Sequence, residues 1–364
     1  MSSIMEIVLF FDPKKQQDFK LPFALTAFSK ISSNLHLSKH NQTCPQGKVL
    51  QEMKLVYYIK RFGYNVLPGL FFKWNYKRLK RFEKQCNHAE LNERLDYYFK
   101  LTQPFAIPEE AVAVKNFKRT RGTDYYLDLK EFLHYFSGNT RFAYQFGDST
   151  HVNPYPTLFK ARPIGGDNEN SVLFKLNKNR HFKWVEDPMR FADKKDKMVW
   201  RGGAYLELRR AFVKRFWDHP LCDIGQTNKP KEPDPWQKDY LPISEQLKYK
   251  FIFCPEGNDV ATNLKWVLSS NSLCFMPRPK FETWFMEGTL KPGVHYVELA
   301  ADYSDLEEKI EYYSIHIAEA EEIINNAQLH VQRFRNSDLE DLLCLKVLER
   351  YAAMSGQSEG LKFR

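Results

Sequence analysis

The stretch KYKFIFCPEGNDVATNLKWVLSSNSLCFM, residues 248–276, decides the fold class. It begins with an apolar run typical of a strand, passes through a polar turn centred on Gly257, and ends in a second apolar run, SLCFM. Residues 258–271, which lie between these runs, have the pattern of a helix. A strand, a helix and a strand at this spacing predict a parallel α/β unit.

Similar patterns surround this unit. KMVWRGG, residues 197–203, predicts a strand that ends in paired glycines, and 204–217 have helical spacing. Residues 292–299 predict a further strand, and the chain is helical and charged from Asp305 onward. The proline-rich segment 223–244 is predicted to be a surface excursion. These patterns indicate an α/β protein with C-terminal helices.

The N-terminal part is less regular. A short apolar burst predicts a strand at Ile7 to Phe11, and RFAYQFGD, residues 141–148, predicts a strand that ends at Gly147. The charged segment 186–197 is a candidate hinge. We therefore predict an N-terminal domain at 1–190 and a C-terminal domain at 197–335. The last helix, at 336–364, is predicted to return to the N-terminal domain.

Composition limits the class of protein. The chain has 364 residues and 43% hydrophobic residues, enough for two domains with cores of their own. The sequence has no apolar run of about 18 residues, and its first apolar segment lacks the features of a secretory signal, so we expect a cytoplasmic protein. The six cysteines are scattered, and no residues have metal-ligand spacing, so we expect reduced thiols and no metal.

Positive charge is concentrated in residues 54–81, which contain eight Lys and Arg residues and no Asp or Glu. From about 69 to 84 the spacing predicts an amphipathic helix with an aromatic side. Its basic side consists of Lys73, Lys77, Lys80 and Arg81. This helix has three interpretations: binding to an anionic membrane surface or acceptor, binding to nucleic acid, or simple packing of the aromatic side with solvated lysines.

Two strand-to-helix joints carry candidate binding residues. Glycines let backbone N–H groups approach an anion, and an arginine offers a forked donor suited to phosphate. Such joints also use Gly and Asp only to turn the chain and cap a helix, and neither joint matches a known phosphate-binding fingerprint. Two joints in one half nevertheless favour a nucleotide diphosphate as ligand. The candidates are Arg201, Gly202 and Gly203 at the first joint, and Gly257, Asn258, Asp259 and Lys265 at the second.

Four blocks of the sequence are informative together: VWRGG (199–203), residues 248–276, PKFETWFMEGTLKPGVHYVEL (279–299) and DYSDLEEKI (302–310). In this order they resemble glycosyltransferase family 90, and we place the chain in its bacterial branch. This family contains the bacterial lipopolysaccharide A protein group, fungal capsule xylosyltransferases and animal protein O-glucosyltransferases. The resemblance implies a GT-B architecture, with two Rossmann-like domains facing a cleft; 1–190 would form the acceptor side and 197–335 the nucleotide-sugar side.

The resemblance also implies a catalytic base. Animal members carry a catalytic Asp in an RDYP-like turn after a strand, and the matching place here is YQFGDSTHVNPYP, residues 144–156. Asp148 therefore takes this role. An inverting transferase needs such a carboxylate to accept the proton of the attacking hydroxyl. Without the resemblance, Asp148 would be interpreted as a turn-forming residue.

The chain departs from the animal members at the second joint. Asn263 replaces a helical Arg, and Glu256 replaces the Arg of an Arg-Gly turn. We expect Arg201 and Lys265 to compensate for the lost cation, and Glu256 and Asp259 to contact sugar or ribose hydroxyls. Tyr205 and Trp266 are expected to be packing residues rather than to stack on a base.

The predicted activity is inverting, metal-independent transfer of glucose, xylose or a similar sugar. The donor would be a UDP sugar, and the acceptor a hydroxyl of a lipopolysaccharide core or related surface glycan. No cofactor is expected. The resemblance and the basic helix together favour a cytoplasmic enzyme that is peripheral on the inner face of the inner membrane. The alternative is a non-catalytic protein that binds nucleic acid through residues 54–81.

Overall fold

A five-stranded parallel sheet organises the C-terminal half of the chain. The computed structural model describes residues 57–58, 61, 63–64, 67, 69–120, 122–229, 234–357 and 361–362. The strand predicted at Ile7 to Phe11 lies outside these residues. The described residues from Tyr57 onward belong to one compact unit, so the domain boundaries proposed from the sequence stay predictions.

The strands are β1 Val112–Ala113, β2 Arg141–Phe142, β3 Thr157–Phe159, β4 Ala161–Pro163, β5 Ser171–Leu173, β6 Lys195–Gly202, β7 Cys222–Gln226, β8 Tyr249–Phe253, β9 Leu273–Met276, β10 Phe281–Thr283 and β11 Val297–Glu298. The helices are α1 Gly69–Glu83, α2 His88–Tyr98, α3 Thr123–Leu133, α4 Lys178–His181, α5 Glu207–Phe216, α6 Ile243–Gln246, α7 Leu264–Leu268, α8 Leu306–Ile315, α9 Ile317–Gln332 and α10 Ser337–Met354.

The sheet has the order β11–β9–β8–β6–β7, and all its neighbours are parallel. All five residues of β8 are buried because the sheet is covered on both faces. Successive side chains of this strand point to opposite faces. Phe253 stacks on Phe212 of α5 with ring centroids 3.8 Å apart, whereas Ile252 faces the larger core that also holds α10. The parallel α/β unit predicted from residues 248–276 is confirmed.

The N-terminal half contributes helices and two small strand pairs, β1 with β2 and β3 with β5, and its strand β4 pairs with β10 of the C-terminal half. Among the described residues of this half, no sheet exceeds two strands. The second Rossmann-like domain of the GT-B prediction is therefore not seen there, and that arrangement stays a prediction. Helix α10 packs against α1 and α2, which closes the chain back onto this half.

Three local predictions differ from the structure. The strand predicted over 141–148 is limited to β2 and a single parallel bridge from Tyr144 to Leu158, and Gly147, with a φ of 112°, turns the chain before Asp148. The helix predicted over 258–271 is limited to α7, since Asp259 pairs with a lysine of the other half and caps no helix. The start of the predicted excursion 223–244 lies in β7, an edge strand of the sheet.

In the part of the chain that the structure describes, no helix is both long and apolar enough to span a bilayer.

Candidate active site

The two predicted joints meet at one edge of the sheet. β6 and β8 are parallel neighbours, so their carboxyl ends open at the same edge, where open parallel sheets bind ligands. Arg209, in the first turn of α5, connects the joints. Its guanidinium donates hydrogen bonds to the carbonyl oxygens of Gly203 at 3.3 Å, Pro255 at 2.9 Å and Glu256 at 2.9 Å.

Glycine at both joints allows side chains to approach the backbone closely. A Cβ atom at Gly257 would lie 3.1 Å from Nη2 of Arg209, and one at Gly203 would lie 2.5 Å from the ring of Tyr205.

The two predicted packing aromatics differ in exposure. Trp266 is buried, as expected for a packing residue, but Tyr205 is 74% exposed. The packing role predicted for Tyr205 is therefore wrong, and its ring is accessible beside the first joint.

Arg201 is directed into the sheet. It donates from Nη1 to the carbonyl oxygen of Asp223 at 2.6 Å and from Nη2 to Oδ1 of Asp223 at 2.7 Å. Burial opposes ionisation of Asp223, but hydrogen bonds from Tyr249, Arg201 and a lysine outweigh it and lower the pKa of this carboxyl. Asp223 lies on β7, which the sequence analysis interpreted as irregular. This placement argues against Arg201 as the diphosphate ligand; Gly202, next in the strand, pairs with Gln226 of β7.

Lys265 is sealed in the interior. Its ammonium lies 2.6 Å from Oε1 of Glu287, and both side chains are fully buried. Glu287 also accepts hydrogen bonds from the backbone and side chain of Thr283. Because a buried lysine needs a paired carboxylate, Lys265 stays with Glu287 and does not reach the joint, so the predicted diphosphate contact is not supported.

The remaining residues of the second joint differ in accessibility. Oε1 of Glu256 accepts hydrogen bonds from the backbone N–H groups of Lys280 at 2.9 Å and Phe281 at 3.2 Å. Asn263 donates to the carbonyl oxygen of Phe253 at 2.9 Å. Both side chains thus have internal partners, and they hold the loops of the joint together. Asn258 is exposed at the turn.

Asp148 lies in a cluster of charged groups from both halves. Its Oδ1 accepts a hydrogen bond from the Tyr125 hydroxyl at 2.9 Å and pairs with the ammonium of Lys160. Its Oδ2 lies 3.5 Å from Nη1 of Arg180, and its side chain is 25% exposed. Burial opposes ionisation, but the charge and hydrogen bond of Lys160 outweigh it and lower the pKa of Asp148. The carboxylate is therefore ionised near neutral pH, as a general base requires.

Asp259 belongs to the same cluster. It is 3% exposed and pairs with Lys160. Burial, offset in part by Lys160 and reinforced by Asp148, raises the pKa of Asp259. The predicted contact of Asp259 with sugar or ribose hydroxyls is not supported, because its side chain is buried against this lysine.

Two arginines missed by the sequence analysis flank the site. Arg180 has 52% of its side chain exposed and donates to Oγ1 of Thr262 at 3.2 Å. Burial, followed by the charge of Arg180, lowers the pKa of Arg209. Two guanidinium groups that repel each other are stabilised by an anion bound near both. Arg209 could have been found as a cation in the first helical turn after the glycine pair, whereas nothing in its sequence context singles out Arg180.

A cavity of about 490 Å³ lies in the N-terminal half, lined by two residues that also contact Asp148. Tyr125 and Arg180 border both the cavity and the carboxylate. Aromatic rings with convergent amide and hydroxyl groups are typical of small-molecule sites. Further lining residues are Tyr58, Thr123, Asp124, Asn177, Asn179 and Lys183.

The basic helix α1 packs through its aromatic side. Phe72, Tyr76 and Leu79 are buried. Its exposed basic residues are Lys73, Lys77 and Arg81, whereas Lys80 pairs with Glu83 at 2.9 Å.

Other cations of residues 54–81 also have carboxylate partners. Arg61 lies 3.1 Å from both Asp128 and Glu131, and Arg78 pairs with Asp338. These ion pairs reduce the positive charge available to a nucleic acid.

Comparison with known proteins identifies the family. The profile of "Glycosyl transferase family 90" matches residues 177–357. The chain is 42% identical over 304 residues to "O-glucosyltransferase LpsA" of Dichelobacter nodosus, covering 83% of this chain and 96% of that protein. It is also 28% identical to "O-glucosyltransferase rumi homolog" of Aedes aegypti, covering 47% of this chain and 45% of that protein. It is 26% identical to "Protein O-glucosyltransferase 3" of Rattus norvegicus, covering 44% of this chain and 32% of that protein. The chain belongs to glycosyltransferase family 90.

Proposed function

We propose that the protein transfers a sugar from a UDP sugar to a hydroxyl of a lipopolysaccharide core or related surface glycan, with inversion and without a metal. The observation that carries this proposal is the position of Asp148, an ionised carboxylate that lies 3.5 Å from Arg180, which also lines the cavity. The relatives named O-glucosyltransferases favour glucose as the sugar.

The donor binds at the edge of the sheet, which forms the nucleotide-sugar half of a GT-B cleft. Arg180 and Arg209 hold the diphosphate and stabilise the charge that develops on it as the sugar leaves. They take the role of diphosphate ligand that the sequence predicted for Arg201 and Lys265. The exposed ring of Tyr205 beside Gly203 offers a stacking surface for the uracil.

The acceptor binds in the cavity beside Asp148. As its hydroxyl attacks the anomeric carbon from the face opposite the diphosphate, the proton passes to Oδ2 of Asp148. This oxygen is the available one because Tyr125 and Lys160 both contact Oδ1. A single displacement of this kind inverts the anomeric configuration and leaves UDP as product.

The exposed residues of α1, Lys73, Lys77 and Arg81, bring the enzyme to an anionic membrane that carries a glycolipid acceptor. The partly exposed Trp74 and the exposed Leu70 on the same helix supply apolar contact. This arrangement supports a peripheral position on the inner face of the inner membrane.

Asp148→Asn tests the proposal. We expect UDP-glucose to raise the melting temperature of both wild type and variant, and the variant to lose about 10²- to 10⁴-fold in UDP release with acceptor present. Asp167→Asn, an exposed aspartate, is the matched control. Full transfer activity in Asp148→Asn would show that Asp148 is not the base.

A further inference from the structure

Lys160 connects the two halves of the candidate site. It lies between β3 and β4 and is 2% exposed. Its ammonium pairs with Asp148 of the N-terminal half and with Asp259 of the second joint, and it lies 3.5 Å from Nε2 of His181. An ammonium group has three N–H donors and no acceptor. Lys160 directs hydrogen bonds to Asp148 and His181, whereas its contact with Asp259 is an ion pair.

His181 is a neutral acceptor in this cluster. Burial, followed by the charges of Lys265 and Lys160, lowers the pKa of His181 well below its ordinary value. Because lysine can only donate, Nε2 accepts and the ring proton lies on Nδ1. Within the described chain, Nδ1 is buried without a hydrogen-bond partner. The imidazole therefore accepts a hydrogen bond from Lys160 without adding a charge.

We propose that Lys160 is a positioning residue for the transfer reaction, which orients the Asp148 carboxylate and links it to the donor half through Asp259. This inference rests on the proposed function. Lys160 and Tyr125 hold Oδ1, which leaves Oδ2 facing Arg180, a residue that lines the cavity. With its own side chain buried, Lys160 acts through the carboxylates rather than by contact with a substrate.

The charges around Asp148 give this role a measurable signature. Two carboxylates share one ammonium. Without the ammonium, the two negative charges would disfavour joint ionisation, and the pKa of Asp148 would rise. Without Asp259, the ammonium would serve Asp148 alone, and this pKa would fall. The titratable and charged groups around Asp148 and Lys160 are Tyr125 from α3, Arg180 and His181 from α4, and Asp259 from the second joint.

Lys160→Met and Asp259→Asn test this signature with two readouts on the full chain. One is the acid limb of the pH profile of kcat/KM. The other is an NMR titration of labelled aspartate carboxyls, in which the Asp148 signal is the one missing from Asp148→Asn. In Lys160→Met we expect the acid limb and the titration midpoint of Asp148 to move up by about 1 to 3 pH units. In Asp259→Asn we expect both of them to move down.

Lys194→Met is the matched control, because Lys194 is a buried lysine paired with Asp187 at 2.7 Å outside the site. It should leave both readouts unchanged. If Lys160→Met does not fold, the downward shift in Asp259→Asn decides the question. An Asp148 resonance that does not move, or moves the same way in both variants, overturns the inference. That titration needs no turnover, so it remains decisive even if Asp148→Asn keeps its activity and the proposed function fails.

Discussion

Two buried ion clusters of this protein have inverse compositions. The first, the Glu340 cluster, has one carboxylate between two cations. The second, the Lys160 cluster, has one cation between two carboxylates. The members of the Glu340 cluster are Glu340, Arg94, Lys175 and Trp284. Those of the Lys160 cluster are Lys160, Asp148, Asp259 and His181.

The clusters differ in their contact with solvent. Glu340 lies 2.5 Å from Arg94 and 2.6 Å from Lys175, and Nε1 of Trp284 donates to it at 2.8 Å. None of these side chains is more than 11% exposed. In the Lys160 cluster the Asp148 side chain is 25% exposed. The Glu340 cluster is shielded from solvent and stabilises the fold. In the Lys160 cluster, the partly exposed Asp148 can exchange a proton with a ligand.

Glu340→Gln should have the largest effect on stability. It leaves two buried cations without their counter-ion, which costs about 3–5 kcal/mol of unfolding free energy. Urea denaturation would measure this loss, with the exposed Glu322→Gln as matched control. A loss below about 1 kcal/mol would contradict the structural role of the Glu340 cluster.

The same variant has a pH signature. Burial opposes ionisation of Glu340, but Lys175 and Arg94 outweigh it and lower its pKa below the ordinary 4.5. Its contribution to stability is therefore present above pH 4.5 and is lost as the pH falls through the folded pKa. The difference in stability between wild type and Glu340→Gln should shrink over that range in urea titrations. A constant difference would show that the carboxylate charge is not involved.

Arg209→Gln should come next, with an effect on donor affinity. Loss of a charged hydrogen bond to the diphosphate costs about 1.5–3 kcal/mol, or about 10- to 150-fold in the Kd of UDP. Arg210→Gln, an exposed neighbour that bonds Glu207, is the control. Calorimetry with UMP distinguishes the roles: equal losses for UMP and UDP would mean that Arg209 only supports the joints.

Asn179→Ala should weaken binding of the acceptor about fivefold, which corresponds to the loss of one ordinary hydrogen bond. The expected change is a higher KM for a lipopolysaccharide core oligosaccharide with an unchanged KM for the UDP sugar. Asn116→Ala, at an exposed position, is the control. A change confined to the donor KM would place the acceptor outside the cavity.

Lys77→Gln should have the smallest effect, about fivefold weaker partitioning onto vesicles that contain phosphatidylglycerol. The exposed Lys197→Gln, on the sheet half, serves for comparison. Equal partitioning of both variants and the wild type would remove support for the membrane-binding surface on α1.

The sequence predicted the sheet well and the side chains of the site less well. Strong apolar runs predict β6, β8 and β9, because strands buried on both faces are continuously hydrophobic. The directions of Arg201 and Lys265 were not predictable, since each depends on a carboxylate, Asp223 or Glu287, that is 22 residues away. Nothing local to either residue marks that partner.

The N-terminal part of the site was reached only through family resemblance. Asp148 lies in an irregular turn whose sequence alone indicates a structural aspartate. Lys160 connects it to Asp259, and these partners come from separate elements that only the folded chain brings together. The strength of such contacts depends on burial and distance, which spacing along the chain does not encode.

The Glu340 cluster also sets an order of events during synthesis. Arg94 and Lys175 are made 246 and 165 residues before their shared counter-ion. At about 5–20 residues per second, translation of the 165 residues from Lys175 to Glu340 takes on the order of ten seconds. Throughout that interval the N-terminal half lacks both the Glu340 carboxylate and the apolar face of α10. Its core is therefore completed only when the last long helix has left the ribosome, and a chaperone that shields nascent chains has this interval in which to act.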